Sequence, residues 1–216
     1  MMKTNKRSVL LLLLGLIFIA ASLFWARYNS VVQRRAGENT ERVLSQLYRQ
    51  VPKTEELSVE PDTVAFPVAT ETPDYILNPV MPMPVCEIEG VLYIGYLTIP
   101  DLDLELSVAS EWDYPTLDIT PCRYTGSVYT DDLVISAHNY GPHFASIGTL
   151  QPGSPVYFTD MDGNVFRYRV ALIEVLMPND YTEMTRGEYP LTLFTCTSGG
   201  NYRLTVRCEQ IESSVF

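Results

Sequence analysis

The chain has 216 residues, with 15 Lys and Arg against 26 Asp and Glu, for a net charge of −11. The charge is uneven: all three lysines lie in the first 53 residues, and from Thr54 onward 24 acidic residues face six arginines, a net of −18. A region that acidic does not neutralise phosphates, which excludes nucleic-acid binding of the electrostatic kind, and it is a poor partner for an anionic membrane surface. Four cysteines in 216 residues exclude a disulfide-dense miniprotein.

Ser8–Ala26 is a run of 19 residues without a charge. As a helix it spans about 28 Å, near the thickness of a bilayer core. Lys3, Lys6 and Arg7 precede it, and Trp25 and Tyr28 mark its far end. The basic flank predicts the N-terminus inside and the remainder outside, although Arg27, Arg34 and Arg35 oppose this. A cleaved signal peptide is the rival, but the apolar core is long for one. Residues 1–28 are therefore expected to be a cytoplasmic tip and an uncleaved signal anchor.

Asn29–Val51 predicts an amphipathic helix, either a stalk or a helix packed on the following domain. Pro52–Pro84 holds seven prolines and predicts an extended linker. From Gly90 the pattern changes to short strands: Leu92–Ile99, Leu104–Val108, Leu133–Ser136, and a hairpin of Val156–Thr159 with Val165–Leu176. Trp112–Ser127 reads as loop and short helix, Phe144–Leu150 as a short helix and Pro178–Pro190 as a loop. Many short strands with Gly and Pro turns predict an all-β barrel or sandwich over 90–216, with 29–89 as stalk and linker.

Leu191–Glu209 (LTLFTCTSGGNYRLTVRCE) is two strand-like runs joined by turn chemistry at Ser198–Asn201. Cys196 ends the first run and Arg203 begins the second. A thiol at a strand end facing a guanidinium is a nucleophile with an anion stabiliser, or else a structural thiol and a surface arginine.

Thr192–Cys196 (TLFTC) followed by Arg203-Leu204-Thr205-Val206 resembles the TLxTC…R signature of sortases, the membrane-anchored cysteine transpeptidases of Gram-positive bacteria. Leu133–Asn139 supplies the histidine such enzymes carry after a preceding strand, and Tyr93–Pro100 is similar to their first barrel strand. The resemblance runs from about Tyr93 to Glu209. It implies an eight-stranded β-barrel with short helices behind an N-terminal transmembrane helix.

The resemblance also implies roles. Cys196 becomes the nucleophile, because a thioester must form and then yield to an amine. His138 becomes the acid and base, with His143 as its rival. Arg203 becomes the oxyanion or substrate partner; strand alternation puts Arg207 on the same face, so spacing alone does not separate them. Thr195 and Asn139 are supporting candidates. Ala137 stands where the family usually has glycine.

Cys86, Cys122 and Cys208 allow three possible pairs, and sequence does not choose among them. They lack the close spacing of a metal site. Asp131, Asp132 and Glu183 could form a loop calcium site of the kind some sortases have, but the bland reading is solvated acids, and no cofactor or metal is expected. The six-residue segment Thr197–Tyr202 is short for the family, and Pro178–Pro190 is too short for the helical insertion of class B enzymes. Trp112–Tyr114, Pro121–Ser127 and His138-Asn139 nevertheless resemble class B sequences, so the class stays open.

The function expected is cleavage of a C-terminal sorting motif of secreted proteins, with transfer to an amine of peptidoglycan precursor or of a pilin lysine. The alternatives are a membrane-tethered cysteine peptidase that uses water, and a non-catalytic extracellular binding module.

Overall fold

A computed structural model describes residues 6–52 and 72–211 of the chain. Lys3 and most of the proline-rich stretch, 53–71, lie outside the described residues.

Helix α1 runs unbroken over Lys6–Leu47. Leu, Ile and Ala favour the helix through its first half, and Gln, Glu, Arg and Leu sustain it through the second. The two segments expected from the sequence are thus one rod. From Val9 to Val31 its surface is exposed, and it includes a stretch of mean hydropathy 2.7, long and apolar enough to cross a membrane. Further on, Ala36, Thr40, Val43, Leu44 and Leu47 are buried at three- and four-residue spacing. This face packs on the domain: Val43, Leu47 and Val51 join Ile88, Tyr93, Ala109, Cys122 and Met161 in a second apolar cluster outside the main core.

Among the described residues nine strands follow: β1 (Cys86–Ile88), β2 (Val91–Ile99), β3 (Leu104–Ala109), β4 (Cys122–Thr125), β5 (Leu133–Ser136), β6 (Pro155–Asp160), β7 (Val165–Leu176), β8 (Leu191–Cys196) and β9 (Arg203–Gln210). Their order is β1-β2-β3-β4-β5-β8-β9-β7-β6, and β6 also pairs with β2. That last pairing closes β2 to β9 into an eight-stranded barrel, with β1 as an outer flap. Closure gives every barrel strand a neighbour on both sides, although β3 meets β4 only at Ala109 and Cys122. Gly95 makes it possible. It sits at the bulge where β2 serves both β3 and β6, at φ 148°, and a Cβ there would lie 2.0 Å from the Thr159 carbonyl oxygen.

Alternation fills the barrel. Leu97, Ile99, Leu106, Val108, Val156 and Phe158 point inward from one side, and Ile135, Leu191, Leu193 and Val206 from the other, all fully buried. Short helices α2 (Asp74–Leu77), α3 (Tyr114–Leu117) and α4 (Tyr181–Met184) decorate the loops. Phe144–Leu150 contains a single 3-10 turn, Ile147–Thr149. Strand β4 was not foreseen: it has only four residues and a register shift, so little alternation shows. The four cysteines are all free thiols.

Candidate active site

Two ladders place the site. Strands β8 and β9 pair antiparallel and set Cys196 opposite Arg203. Strands β5 and β8 pair parallel, Ser136 against Phe194, and the Ala137 amide extends the ladder to the Phe194 carbonyl at 3.2 Å. Carrying that register two residues on brings His138 level with Cys196. One barrel rim therefore gathers the thiol, the imidazole and the guanidinium from three neighbouring strand ends.

The three line one groove of about 300 Å³, together with Ser136, Ala137 and Thr195. Its walls are aromatic. Trp112 meets Tyr114 and Tyr124 edge-on, and Tyr124 meets Phe194 at 90°. Met177, Met184 and Tyr181 from the loop after β7 complete it. A groove with an apolar wall and a polar end suits an extended peptide whose side chains bury while its carbonyl reaches the thiol.

Cys196 is half-exposed, whereas Cys86, Cys122 and Cys208 are buried. Burial pushes the Cys122 thiol up to about 12 and the Cys208 thiol higher still. Cys86 is raised as well, by burial first and then by the Glu87 charge, and its sulfur contacts Gln50 Oε1 at 2.8 Å.

The two histidines part company. His138 lines the groove, stacked on Tyr140 with ring centroids 4.7 Å apart. His143 is fully buried and its ring nitrogens make no hydrogen bond of good geometry. Burial, and secondarily the His138 charge, hold it down to about 4, a neutral core imidazole at ordinary pH.

The two arginines separate as well. Arg203 is part-exposed at the rim, and its Nη1 donates only weakly, to the Gly200 and Tyr202 carbonyls at 3.3 and 3.4 Å. Among the described residues no carboxylate pairs with it. Arg207 is 1% exposed and fully engaged with Glu174, Thr192 and the carbonyls of Glu183 and Met184. Thr195 is buried beside Cys196, its hydroxyl without a partner. Asn139 is half-buried and not in the groove wall.

Two of the three suggested calcium acids are otherwise occupied. Asp132 accepts from the Ser127 amide and the Thr130 hydroxyl, and Glu183 pairs with Arg186. Among the described residues no group of three His, Cys, Asp or Glu is placed to hold a metal ion.

Asp118 was missed by sequence reasoning. It follows α3 and lies 3.0 Å from His138 Nε2. No motif marks it, because the contact depends on how the loop after β3 folds back.

A closed eight-stranded barrel with a thiol, an imidazole and a guanidinium at one rim defines the class. The sortase domain family matches residues 97–211, more than half of the chain, and the chain belongs to that family. Among solved structures it is similar to sortase A from Corynebacterium diphtheriae (24% identity, TM-score 0.52, 58% of this chain and 63% of that one). It is also similar to sortase C from Streptococcus pneumoniae (23%, 0.50, 59% and 72%) and to the Clostridium perfringens sortase D5 transpeptidase (20%, 0.50, 56% and 79%). At these identities the likeness shows the fold, and the chain spans less than two thirds of the diphtheria enzyme. Comparison with curated proteins finds no match.

Proposed function

We propose that the chain is a membrane-anchored cysteine transpeptidase that cleaves a C-terminal sorting motif, of the LPxTG kind, in secreted proteins. The observation that carries this reading is the ladder placement of Cys196 between His138 and Arg203 at the end of an apolar groove. Cys196 gives its thiol proton to His138, and its sulfur attacks the scissile carbonyl carbon. Arg203 donates to the developing oxyanion. The C–N bond breaks, and the leaving amine takes a proton from His138. An acceptor amine then attacks the thioester, gives its proton to His138 and releases the Cys196 thiolate. Thr195 and Asn139 support this frame. The acceptor is peptidoglycan precursor or a pilin lysine; pilin substrate specificity belongs to the pneumococcal sortase C.

In this reading residues 1–28 are the cytoplasmic tip and single-pass anchor, 29–89 the stalk and linker, whose helix and β1 pack on the domain, and 90–216 the extracellular catalytic domain. The test is mass spectrometry of the full chain with a panel of sorting peptides, with and without amine nucleophiles. Amine-dependent ligated product supports transpeptidation. Hydrolysed product alone, whatever the amine, makes the chain a peptidase, and no turnover with an unreactive Cys196 makes it a binding module.

A further inference from the structure

Three features of the fold converge on the His138 ring. The Asp118 Oδ1 oxygen lies 3.0 Å from Nε2, a nitrogen that is buried and otherwise without a partner. The contact is short, though off the direction of an ideal ring N–H bond. The Tyr140 ring lies on the imidazole face, 29° from parallel. The backbone is pinned by the β5–β8 ladder.

Asp118 is also held in place. Asp113 caps α3 by accepting from the Thr116 amide at 2.7 Å, and Pro115 sits in its first turn. Leu117 is buried in the second apolar cluster, which α1 shares. The Asp118 amide then donates to the Tyr114 carbonyl at 3.1 Å. The fold itself presents this carboxylate to the histidine.

We propose that Asp118 is a positioning residue for His138, its carboxylate holding the proton on Nε2 so that Nδ1 is the nitrogen left to serve the reacting atoms. This rests on the reading of His138 as acid and base. A neutral imidazole carries its proton on either nitrogen, and an acceptor at one of them selects the tautomer and fixes the ring. Tyr140 sets the ring plane. His143, whose ring centroid lies 5.7 Å from that of Tyr140, is neutral and brings no competing charge.

The chain has only two histidines, so histidine-selective 15N labelling gives two imidazoles to read. The full chain in detergent should show His138 as the Nε2–H tautomer in its neutral form. Asp118→Ala and Asp118→Asn should turn it into a mixture while His143 stays unmoved. On a sorting peptide cleaved by the wild type, both variants should lose about 10- to 100-fold in kcat with KM nearly unchanged, as for other partners that orient a working histidine. Asp118→Glu should recover part of the loss. An unchanged tautomer or an unchanged kcat in Asp118→Ala overturns the proposal. His138→Ala separates the two readings: if it stays active, the acid–base assignment itself fails, and if it is inactive while Asp118→Ala is normal, only the role of Asp118 fails.

Discussion

Arg207 donates through Nε to Glu174 at 2.8 Å, from a position 1% exposed in the barrel wall. Its remaining nitrogens reach Thr192 and the carbonyls of Glu183 and Met184, so one guanidinium ties β7, β8 and β9 to the loop that carries α4. Arg203, four residues back on the same strand, has no such duty. Arg207→Ala should therefore cost about 3–5 kcal/mol of stability, the cost of breaking a buried pair. Arg203→Ala should leave the melting temperature near wild type and lower kcat/KM by about 100- to 1,000-fold. Arg203→Lys should also be impaired, because it keeps the charge but loses the planar fork. Thermal melts and peptide kinetics on the same preparations check both halves.

His143 gives the fold a pH dependence. Its folded-state value is depressed to about 4, against about 6.5 for a free imidazole. Above pH 6.5 both states are neutral and nothing is lost. As pH falls from 6.5 towards 4, the unfolded chain takes a proton that the folded chain refuses, so stability drops. The loss is about 2 kcal/mol at pH 5 and levels off below pH 4. In His143→Phe the fall in melting temperature between pH 7.5 and pH 5 should be smaller than in wild type. Its activity at pH 7.5 should be largely retained, whereas His138→Ala should be inactive.

The strand ends of the site were legible in sequence, because β8 and β9 are long, apolar and joined by turn residues. What period-two alternation could not do was split Arg203 from Arg207. The difference comes from the segment with α4, which folds over the Arg207 end of that face and leaves Arg203 at the rim. Asp118 was illegible for a related reason: its partner is 20 residues away, and its α3 turn is one helical turn long. The stalk helix had both readings open until its buried face was seen against the Ile88, Tyr93 and Ala109 cluster.

Thiol chemistry should single out Cys196. The other three cysteines are buried, and their thiols are raised by burial. Brief treatment of the native chain with iodoacetamide should add one label, on Cys196, and none to Cys196→Ala. Four labels should appear on denatured wild type. Peptide mapping checks the site.

Helix α1 backs the loop that carries His138. Gly37 faces Pro142, where an added Cβ would sit 3.5 Å from the proline ring, and Gly141 faces Gln33. Gly37→Ala should be tolerated, since that distance is ordinary contact. Gly37→Leu should push the loop and cost up to about 100-fold in kcat, because small displacements of a working group are expensive. Leu47→Ala, at a fully buried position, should cost about 2–5 kcal/mol instead and leave kcat of the folded fraction unchanged. Kinetics with melting curves distinguish the two effects.

The central claim is a thioester on Cys196. Its most direct measurement is the intact mass of the full chain, quenched in acid during turnover of a sorting peptide. Wild type should carry the acyl fragment of the peptide on Cys196, and added amine should discharge it. Cys196→Ala should carry none, and His138→Ala should accumulate little. Peptide cleavage without a covalent adduct, or an adduct that persists in Cys196→Ala, would contradict the account.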